Sequence, residues 1–141
     1  MIENLIKKTF DIAKKRNWDK TFWAIDVHET MIIPNYKSND IPKVWYPYAL
    51  EVMQMLSKRS DVCLILYTCS HPHEIELYNE FFKEHNIDFK YVNENPEVKT
   101  DAQGYGNYDK KFYFNVLFDD KANFDANNDW KRILDFLNSY D

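Results

Sequence analysis

The chain has 141 residues, of which 45% are apolar and 17% aromatic, and its formal net charge is −5. This length and composition predict a single folded domain and argue against global disorder, while the negative charge argues against a general nucleic-acid binder. The chain contains only two glycines, Gly104 and Gly106, so it lacks both the P-loop and the glycine-rich dinucleotide fingerprint.

The first half of the chain predicts two helices and two strands. Apolar residues recur at helical spacing over residues 2–16 and again over residues 48–56. Runs of strand-forming residues cover 21–26 and 62–67. Residues 28–44 contain prolines, asparagines, serine and aspartate, a composition typical of a loop.

The second half predicts two more helices and two more strands. Residues 75–82 place Ile, Tyr and Phe side chains on one helix face, and the last helix begins at about Asp129. Residues 87–92 and 112–118 are predicted as strands. The polar segment 93–110 between them is predicted as a long loop.

Apolar strands that alternate with amphipathic helices predict a fold of the α/β class. We expect a three-layer, Rossmann-like parallel sheet with helices on both faces. Residues 1–141 would form one domain, with residues 1–18 as an N-terminal helix packed on it. The chain shows no internal repeat and no Pro/Gly/Ser-rich linker that would divide it.

Redox and targeting signals favour a cytoplasmic protein. A secreted disulfide framework needs more cysteines at wider spacing, so Cys63 and Cys69 are predicted to be free thiols. No stretch approaches the ~20 apolar residues of a membrane span. The N-terminus lacks the apolar core and cleavage site of a signal peptide, and we expect no membrane partner.

Polar residues follow three of the predicted strands where each strand ends. Asp26 ends the first strand, Thr68 follows the second, and Asp119 and Asp120 end the last. In α/β sheets, ligands bind beyond the carboxyl ends of the strands, so we expect these side chains to converge. His28 lies two residues after Asp26 and belongs to the same predicted edge.

Clustered carboxylates at this edge require a cation. Like charges repel one another, and a site rich in carboxylate oxygens suits Mg²⁺, which shares its coordination shell with water and phosphate oxygens. Lys110 and Lys111 precede the last strand, and one of them would approach the same edge.

The order of these residues resembles the haloacid dehalogenase-like (HAD) hydrolase superfamily. The family's first motif, a strand followed by D-x-D-x-T, corresponds to Phe22–Thr30, and the second, a strand ending on Thr or Ser, to Leu64–Thr68. The third motif, a lysine, and the fourth, a strand ending in paired acids, run together in Lys111–Asp120. The resemblance covers residue 21 to about residue 125.

The resemblance implies a Mg²⁺-dependent phosphohydrolase that forms an aspartyl-phosphate. Asp26 would be both the nucleophile and a metal ligand. The backbone carbonyl of His28 would be a second ligand. Asp119 and Asp120 would hold the metal from the other side, directly or through water.

The resemblance also implies the groups that bind the phosphoryl group. Thr68 would donate a hydrogen bond to it. Lys111 would offset the charge of Asp26 and the phosphate, and its distance from Asp119 favours it over Lys110. Both Thr68 and Lys111 therefore count as catalytic and phosphate-binding residues.

The chain departs from the family pattern at two adjacent positions. Family phosphatases carry a second acid two residues after the nucleophile, where it protonates the leaving group and then activates water. His28 occupies that position here and would act as the acid and base, since an imidazolium can donate a proton near neutral pH. Glu29 stands where the family often has glycine.

Neither segment between the motifs is long enough for a cap domain, so we expect a capless, open site. Such a site suits a large substrate or an oligomer whose neighbouring copy covers it. The loop at 34–45, with Tyr36, Lys37 and Lys43, would form a small flap. The loop at 93–109, with Tyr105 and Tyr108, is the other candidate. The class of phosphorylated substrate is left open.

Two other interpretations remain. The chain would be a non-catalytic, phosphotransfer or phosphate-binding relative if His28 does not support hydrolysis. Alternatively, Asp26 and His28 match the D-x-H that opens calcineurin-like metallophosphoesterases, with His71 and His73 as closing histidines. A cysteine-dependent phosphatase is excluded, because no arginine stands six residues after either cysteine.

Overall fold

The computed structural model describes residues 1–36, 40–100 and 106–140. Eight helices and strands follow one another in the described ranges: α1 (Ile2–Lys15), β1 (Thr21–Asp26), α2 (Ala49–Lys58), β2 (Val62–Tyr67), α3 (Pro72–Glu84), β3 (Tyr91–Val92), β4 (Val116–Phe118) and α4 (Asp129–Ser139). A short 3₁₀ turn, Asp120–Ala122, follows β4. No helix in these ranges is long and apolar enough to cross a membrane.

The four strands form one parallel sheet in the order β3-β2-β1-β4, which confirms the predicted α/β class. β1 is central and pairs with β2 along its whole length, from Thr21 opposite Val62 to Asp26 opposite Tyr67. On its other side, β1 pairs with β4, and Ile25 lies opposite Phe118. The carboxyl ends of β1 and β4 are therefore adjacent.

All four helices contribute buried side chains to one large hydrophobic cluster. It contains Trp23 and Ile25 of β1 together with Phe10 of α1 and Trp130 of α4. Because β1, β2 and β3 follow one another in the same direction across the sheet, right-handed crossovers place α2 and α3 on one face. The helices therefore form a layer on that face.

In the described residues, the opposite face of the sheet carries a separate hydrophobic cluster. Its smaller cluster consists of Phe22, Cys63 and Ile65, and the described side chains packed against it are Tyr91, Val98, Phe112 and Tyr113. These residues come from β3 and from the connection that returns to β4, not from a helix. In its described part, this connection covers the sheet with aromatic side chains.

The two late strands are shorter than predicted. The sequence predicts residues 87–92 and 112–118, whereas β3 and β4 contain two and three residues. The side chain of Asn115 explains where β4 begins, because its Oδ1 accepts from the backbone N–H of Phe22 at 2.7 Å. This side chain takes the place of a backbone acceptor beside β1.

Asparagine occupies most of the described left-handed backbone positions, where other chains often have glycine. In the described ranges, six residues other than glycine have a positive φ: Asn17, Glu29, Tyr48, Asn86, Asn93 and Asn123. Asparagine tolerates this left-handed conformation better than most residues. Glu29 does not share that tolerance, and it lies beside the predicted catalytic residues.

Candidate active site

Three carboxylates meet at the carboxyl edge of the sheet, as the sequence predicts. Asp26 ends β1, Asp119 directly follows β4, and Asp120 begins the 3₁₀ turn. One carboxylate oxygen of each residue lies within 4.8 Å of one from each of the other two. All three residues are partly buried. Among the His, Cys, Asp and Glu side chains of the described ranges, these three form the group that could bind a metal ion.

The pKa values of Asp26 and Asp120 are shifted in opposite directions. Burial first, then the charge of Asp119 and a hydrogen bond to Asp120, together raise the pKa of Asp26 to about 7. Burial opposes the charge on Asp120 as well, but hydrogen bonds from neighbours, Asp26 first among them, lower the pKa of Asp120. Asp26 therefore holds a proton to higher pH than Asp120 does, and a bound cation would compete with that proton.

Thr30 joins the two acidic segments. Its hydroxyl donates to Oδ2 of Asp26 at 3.2 Å and accepts from the backbone N–H of Asp120 at 3.1 Å. Its carbonyl accepts from Nε1 of Trp130 at 2.8 Å, and the residue is 0% exposed. The sequence identifies Thr30 only as the end of a motif and assigns it no role in the site.

The turn after β1 is tight and holds Glu29 in a glycine-like conformation. The carbonyl of Val27 accepts from the backbone N–H groups of Met31 at 2.9 Å and Ile32 at 3.0 Å. Glu29 lies at the corner of this turn with φ of 61°. The family's frequent glycine at this position would adopt that conformation without strain.

The carboxylates face an open cavity of about 490 Å³. Its wall also contains His28 and Thr68, so all five residues that the sequence predicts at this edge line the same cavity: Asp26, His28, Thr68, Asp119 and Asp120. Thr68 is 7% exposed. Its hydroxyl lies 2.7 Å from the hydroxyl of Ser70 and accepts from the backbone N–H of Ser70 at 3.1 Å.

Asn93 positions the backbone of Thr68. Its Oδ1 accepts from the Thr68 N–H at 2.9 Å, and its Nδ2 donates to the Thr68 carbonyl at 2.7 Å. Asn93 follows β3 and has φ of 53°. The sequence places this residue in a loop and does not identify its contact with Thr68, because 25 residues separate the two.

Among the described residues, the lysine in the cavity wall is Lys121, and the wall does not include Lys110 or Lys111. Lys110 lines a separate cavity, and Lys111 is exposed five residues before β4. The ring of the next residue, Phe112, lies 6.0 Å from the ring of Tyr67, which does line the cavity. The role of Lys111 therefore stays a prediction. The sequence did not identify Lys121 as a candidate.

His28 is held by a buried tyrosine. Its Nε2 lies 2.5 Å from the hydroxyl of Tyr78, and the two rings meet edge to face at 5.6 Å. Burial lowers the pKa of His28, although Glu74 and Glu29 act in the opposite direction. Burial also raises the pKa of Tyr78. The lowered pKa of His28 favours the neutral imidazole, whereas the sequence analysis expected an imidazolium.

The predicted flap at 34–45 is partly described. Its two ends pair, because Ile33 donates a backbone hydrogen bond to Val44 and Tyr46 donates one to Met31. Tyr36 lines the cavity and is 84% exposed. Lys37 lies outside the described residues. The side chain of Lys43 lies 3.6 Å from Asp40.

The second predicted flap, at 93–109, is also only partly described. Tyr105 lies outside the described residues, and the ring of Tyr108 lies 5.4 Å from the ring of Tyr113. Between β1 and β2 the described residues contain only the first flap and α2, and between β2 and β4 they contain α3, β3 and loop. The described ranges therefore hold no inserted cap domain.

The geometry favours the aspartate cluster over the metallophosphoesterase interpretation, although His71 lines the same cavity as Asp26 and His28. Among described residues, the metal-suited cluster contains aspartates and no histidine. The ring of His71 stacks on the ring of His73 at 5.9 Å, and His28 bonds to Tyr78. Both cysteines are free, as predicted, with Cys63 buried and Cys69 exposed at the cavity wall.

Comparisons with known proteins support the fold alone. No family model matches the chain, and no curated protein matches it. Among solved structures, a conserved protein from Bacteroides thetaiotaomicron is similar, with a TM-score of 0.61 and 20% sequence identity. The similarity covers 84% of this chain and 90% of that chain. At this identity it indicates a common fold and does not extend to activity.

Proposed function

We propose that the chain is a HAD-like, Mg²⁺-dependent phosphohydrolase that forms an aspartyl-phosphate on Asp26. The observation that carries the proposal is the group of Asp26, Asp119 and Asp120, whose oxygens lie within 4.8 Å of one another at the carboxyl edge of a parallel sheet. Thr68 lines the same cavity. This is the arrangement that the motif resemblance leads one to expect.

The donor set fits Mg²⁺. Three carboxylates offer hard oxygen ligands, and burial together with the charge of Asp119 raises the pKa of Asp26, a penalty on its negative charge that a bound cation would offset. Asp26, Asp119, Asp120 and the backbone carbonyl of His28 would hold the ion. Bound there, Mg²⁺ would offset the negative charges of the carboxylate and the phosphoryl group during attack.

Residues of the chain would supply the nucleophile, a hydrogen bond to the phosphoryl group and a balancing positive charge. A carboxylate oxygen of Asp26 bonds to phosphorus while the bond from phosphorus to the leaving oxygen breaks. Ser70 donates to the Thr68 hydroxyl oxygen through its backbone N–H, and the Ser70 hydroxyl can do the same. The Thr68 hydrogen is then available to a phosphoryl oxygen. A lysine, Lys111 by resemblance or Lys121 by its place in the wall, balances the charge.

The test is hydrolysis of an activated aryl phosphate with and without Mg²⁺. We expect Asp26→Asn to lower kcat by about 10³-fold or more, because the amide is a poor nucleophile. Asp88→Asn is the matched control, since Asp88 is exposed and outside the cavity. Turnover that survives Asp26→Asn or a chelator would contradict the proposal.

A second candidate is a phosphotransfer or phosphate-binding protein that does not hydrolyse its ligand. The contact between His28 and the Tyr78 hydroxyl favours this candidate. A neutral imidazole whose Nε2 is already hydrogen-bonded to Tyr78 is a weak substitute for the family's second acid. Beryllofluoride with Mg²⁺ separates the two candidates. Tight binding of beryllofluoride without turnover of any phosphomonoester would select the binding protein.

A further inference from the structure

The contact between His28 and Tyr78 determines where the histidine can carry its proton. Tyr78 lies on α3, and its side chain is 0% exposed. Within the described part of the chain, Nε2 of His28 is the hydrogen-bond partner of the Tyr78 hydroxyl, at 2.5 Å. A buried hydroxyl with one partner has only that atom to which it can donate.

Hydrogen-bond accounting then selects one tautomer. If the Tyr78 hydroxyl donates to Nε2, that nitrogen bears no proton, and the neutral ring carries its proton on Nδ1. The opposite arrangement, in which Nε2–H donates to the hydroxyl oxygen, leaves the hydroxyl hydrogen without an acceptor. A buried unsatisfied donor is costly, so the first arrangement is the stable one.

A histidine held in this way can donate a hydrogen bond but is poorly suited to donate a proton. Loss of the Nδ1 proton from the neutral ring would leave an imidazolate. A doubly protonated ring would place Nε2–H against the Tyr78 hydroxyl and orphan the hydroxyl hydrogen. The position that supplies a general acid in the family therefore supplies a neutral donor in the wall of this cavity.

Building on the proposed function, we propose that Tyr78 is a positioning residue for His28 and that the site accepts substrates whose leaving group departs as a stable anion. Acyl phosphates and aryl phosphates of acidic phenols belong to this class. Alkyl phosphates, such as phosphosugars with an ordinary hydroxyl, do not.

The chemistry balances without a proton from the protein. In the first step, an Asp26 oxygen bonds to phosphorus, and the electron pair of the broken P–O bond leaves with the carboxylate or phenolate. In the second step, water oxygen bonds to phosphorus and the bond from phosphorus to Asp26 breaks. Both water hydrogens leave the site, on inorganic phosphate or in solvent.

The first test is a leaving-group series with the Mg²⁺-loaded full chain: acetyl phosphate, aryl phosphates of graded phenol acidity, and an alkyl phosphate. We expect kcat/KM to fall steeply as the leaving group becomes more basic. His28→Asp should restore an acid and raise alkyl phosphate turnover by about 100-fold. Equal wild-type rates across the series would overturn this inference while leaving the proposed function intact. No turnover even of acetyl phosphate would overturn both.

The second test reads the tautomer directly and needs no substrate. Nitrogen NMR of the full chain without metal should show a proton on Nδ1 of His28 and none on Nε2. A proton on Nε2 would overturn the inference, and the wild-type spectrum decides this even if every variant fails to fold.

Tyr78→Phe links the two tests. Removing the hydroxyl frees Nε2, so the variant should show both tautomers and a shallower dependence on the leaving group. Tyr91→Phe is the matched control: it removes a hydroxyl that donates to Glu97 at 2.6 Å, away from His28. A Tyr78→Phe variant that folds but keeps the wild-type tautomer and slope would contradict the positioning role.

Discussion

The hydroxyl of Thr30 accepts a hydrogen bond from the backbone N–H of Asp120 at 3.1 Å, although 90 residues separate them in the chain. The same hydroxyl donates to Asp26. One buried side chain thus connects the predicted nucleophile with the paired acids after β4. The spacing of the three carboxylates depends on this connection as well as on the pairing of β1 with β4.

Replacing Thr30 by valine should damage both stability and activity. Thr30→Val keeps the shape but leaves the buried N–H of Asp120 without its partner, which costs about 1–3 kcal/mol of unfolding free energy. Thr30→Ser retains the hydroxyl and should recover most of the activity. Urea unfolding and aryl phosphate turnover measure the two effects.

The matched control for Thr30 is Thr9→Val. The Thr9 hydroxyl donates to the Leu5 carbonyl within α1, which already has a helical partner available, so its loss should be nearly neutral. If Thr30→Val unfolds at the same urea concentration as Thr9→Val and keeps full activity, the connection has no functional role.

The two candidate lysines can be separated by substitution. Lys121 lines the cavity, so Lys121→Met should lower kcat/KM by about tenfold through the loss of one cation near the transferring phosphoryl group. Lys111→Met tests the role implied by the resemblance and should have the larger effect if the Lys111 side chain reaches the phosphate.

Lys8→Met serves as the control for both lysines, because Lys8 is an exposed residue of α1. Steady-state kinetics on one aryl phosphate is sufficient. If Lys121→Met behaves like Lys8→Met, Lys121 is only a neighbour of the site.

The stability of the metal-free protein should fall as the pH rises through neutrality. The pKa of Asp26 is about 7 in the folded chain, above its value in the unfolded chain, so the bound proton stabilises the folded state at low pH, and this stabilisation is lost progressively until the pH passes about 7. The lowered pKa of Asp120 acts at more acidic pH and does not change this window. Because Asp26 is partly exposed, we expect a loss on the order of 1 kcal/mol between about pH 5.5 and about pH 8.

Asp26→Asn checks that assignment. The amide cannot ionise, so the variant should be more stable than the wild type at about pH 8 in chelator and should lose the pH dependence. Mg²⁺ should raise the Tm of the wild type more at the higher pH, because protons no longer compete for the carboxylates. A wild-type Tm that rises with pH in chelator would contradict the raised pKa.

Glu29 is strained, and relieving the strain should stabilise the chain. Glu29 has φ of 61°, a left-handed conformation that costs a residue other than glycine about 1–2 kcal/mol. Glu29→Gly removes this cost, but the greater entropy of glycine in the unfolded state offsets part of the gain. The net gain in unfolding free energy is up to about 1 kcal/mol. Glu29→Gln removes the charge and keeps the strain, which isolates the two effects. Thermal unfolding in chelator compares them, and equal Tm values for both variants would attribute the effect to charge alone.

The sequence by itself was sufficient for the parallel α/β sheet and for the convergence of Asp26, Thr68, Asp119 and Asp120. Apolar runs bounded by polar residues mark strands, and parallel strands bring their carboxyl ends to one edge whatever their order. These inferences need only local spacing along the chain.

Tertiary structure alone determined the long-range hydrogen bonds that position His28 and Thr68. Tyr78 reaches His28 across 50 residues, and Asn93 reaches Thr68 across 25. Which side chains meet at such separations depends on strand order and on how helices pack, and helical spacing predicts only that Tyr78 is buried. The same holds for Lys121 and for the aromatic layer of the β3–β4 connection. Local pattern therefore predicted which polar side chains meet at the sheet edge, whereas long-range packing determined the hydrogen bond that holds His28.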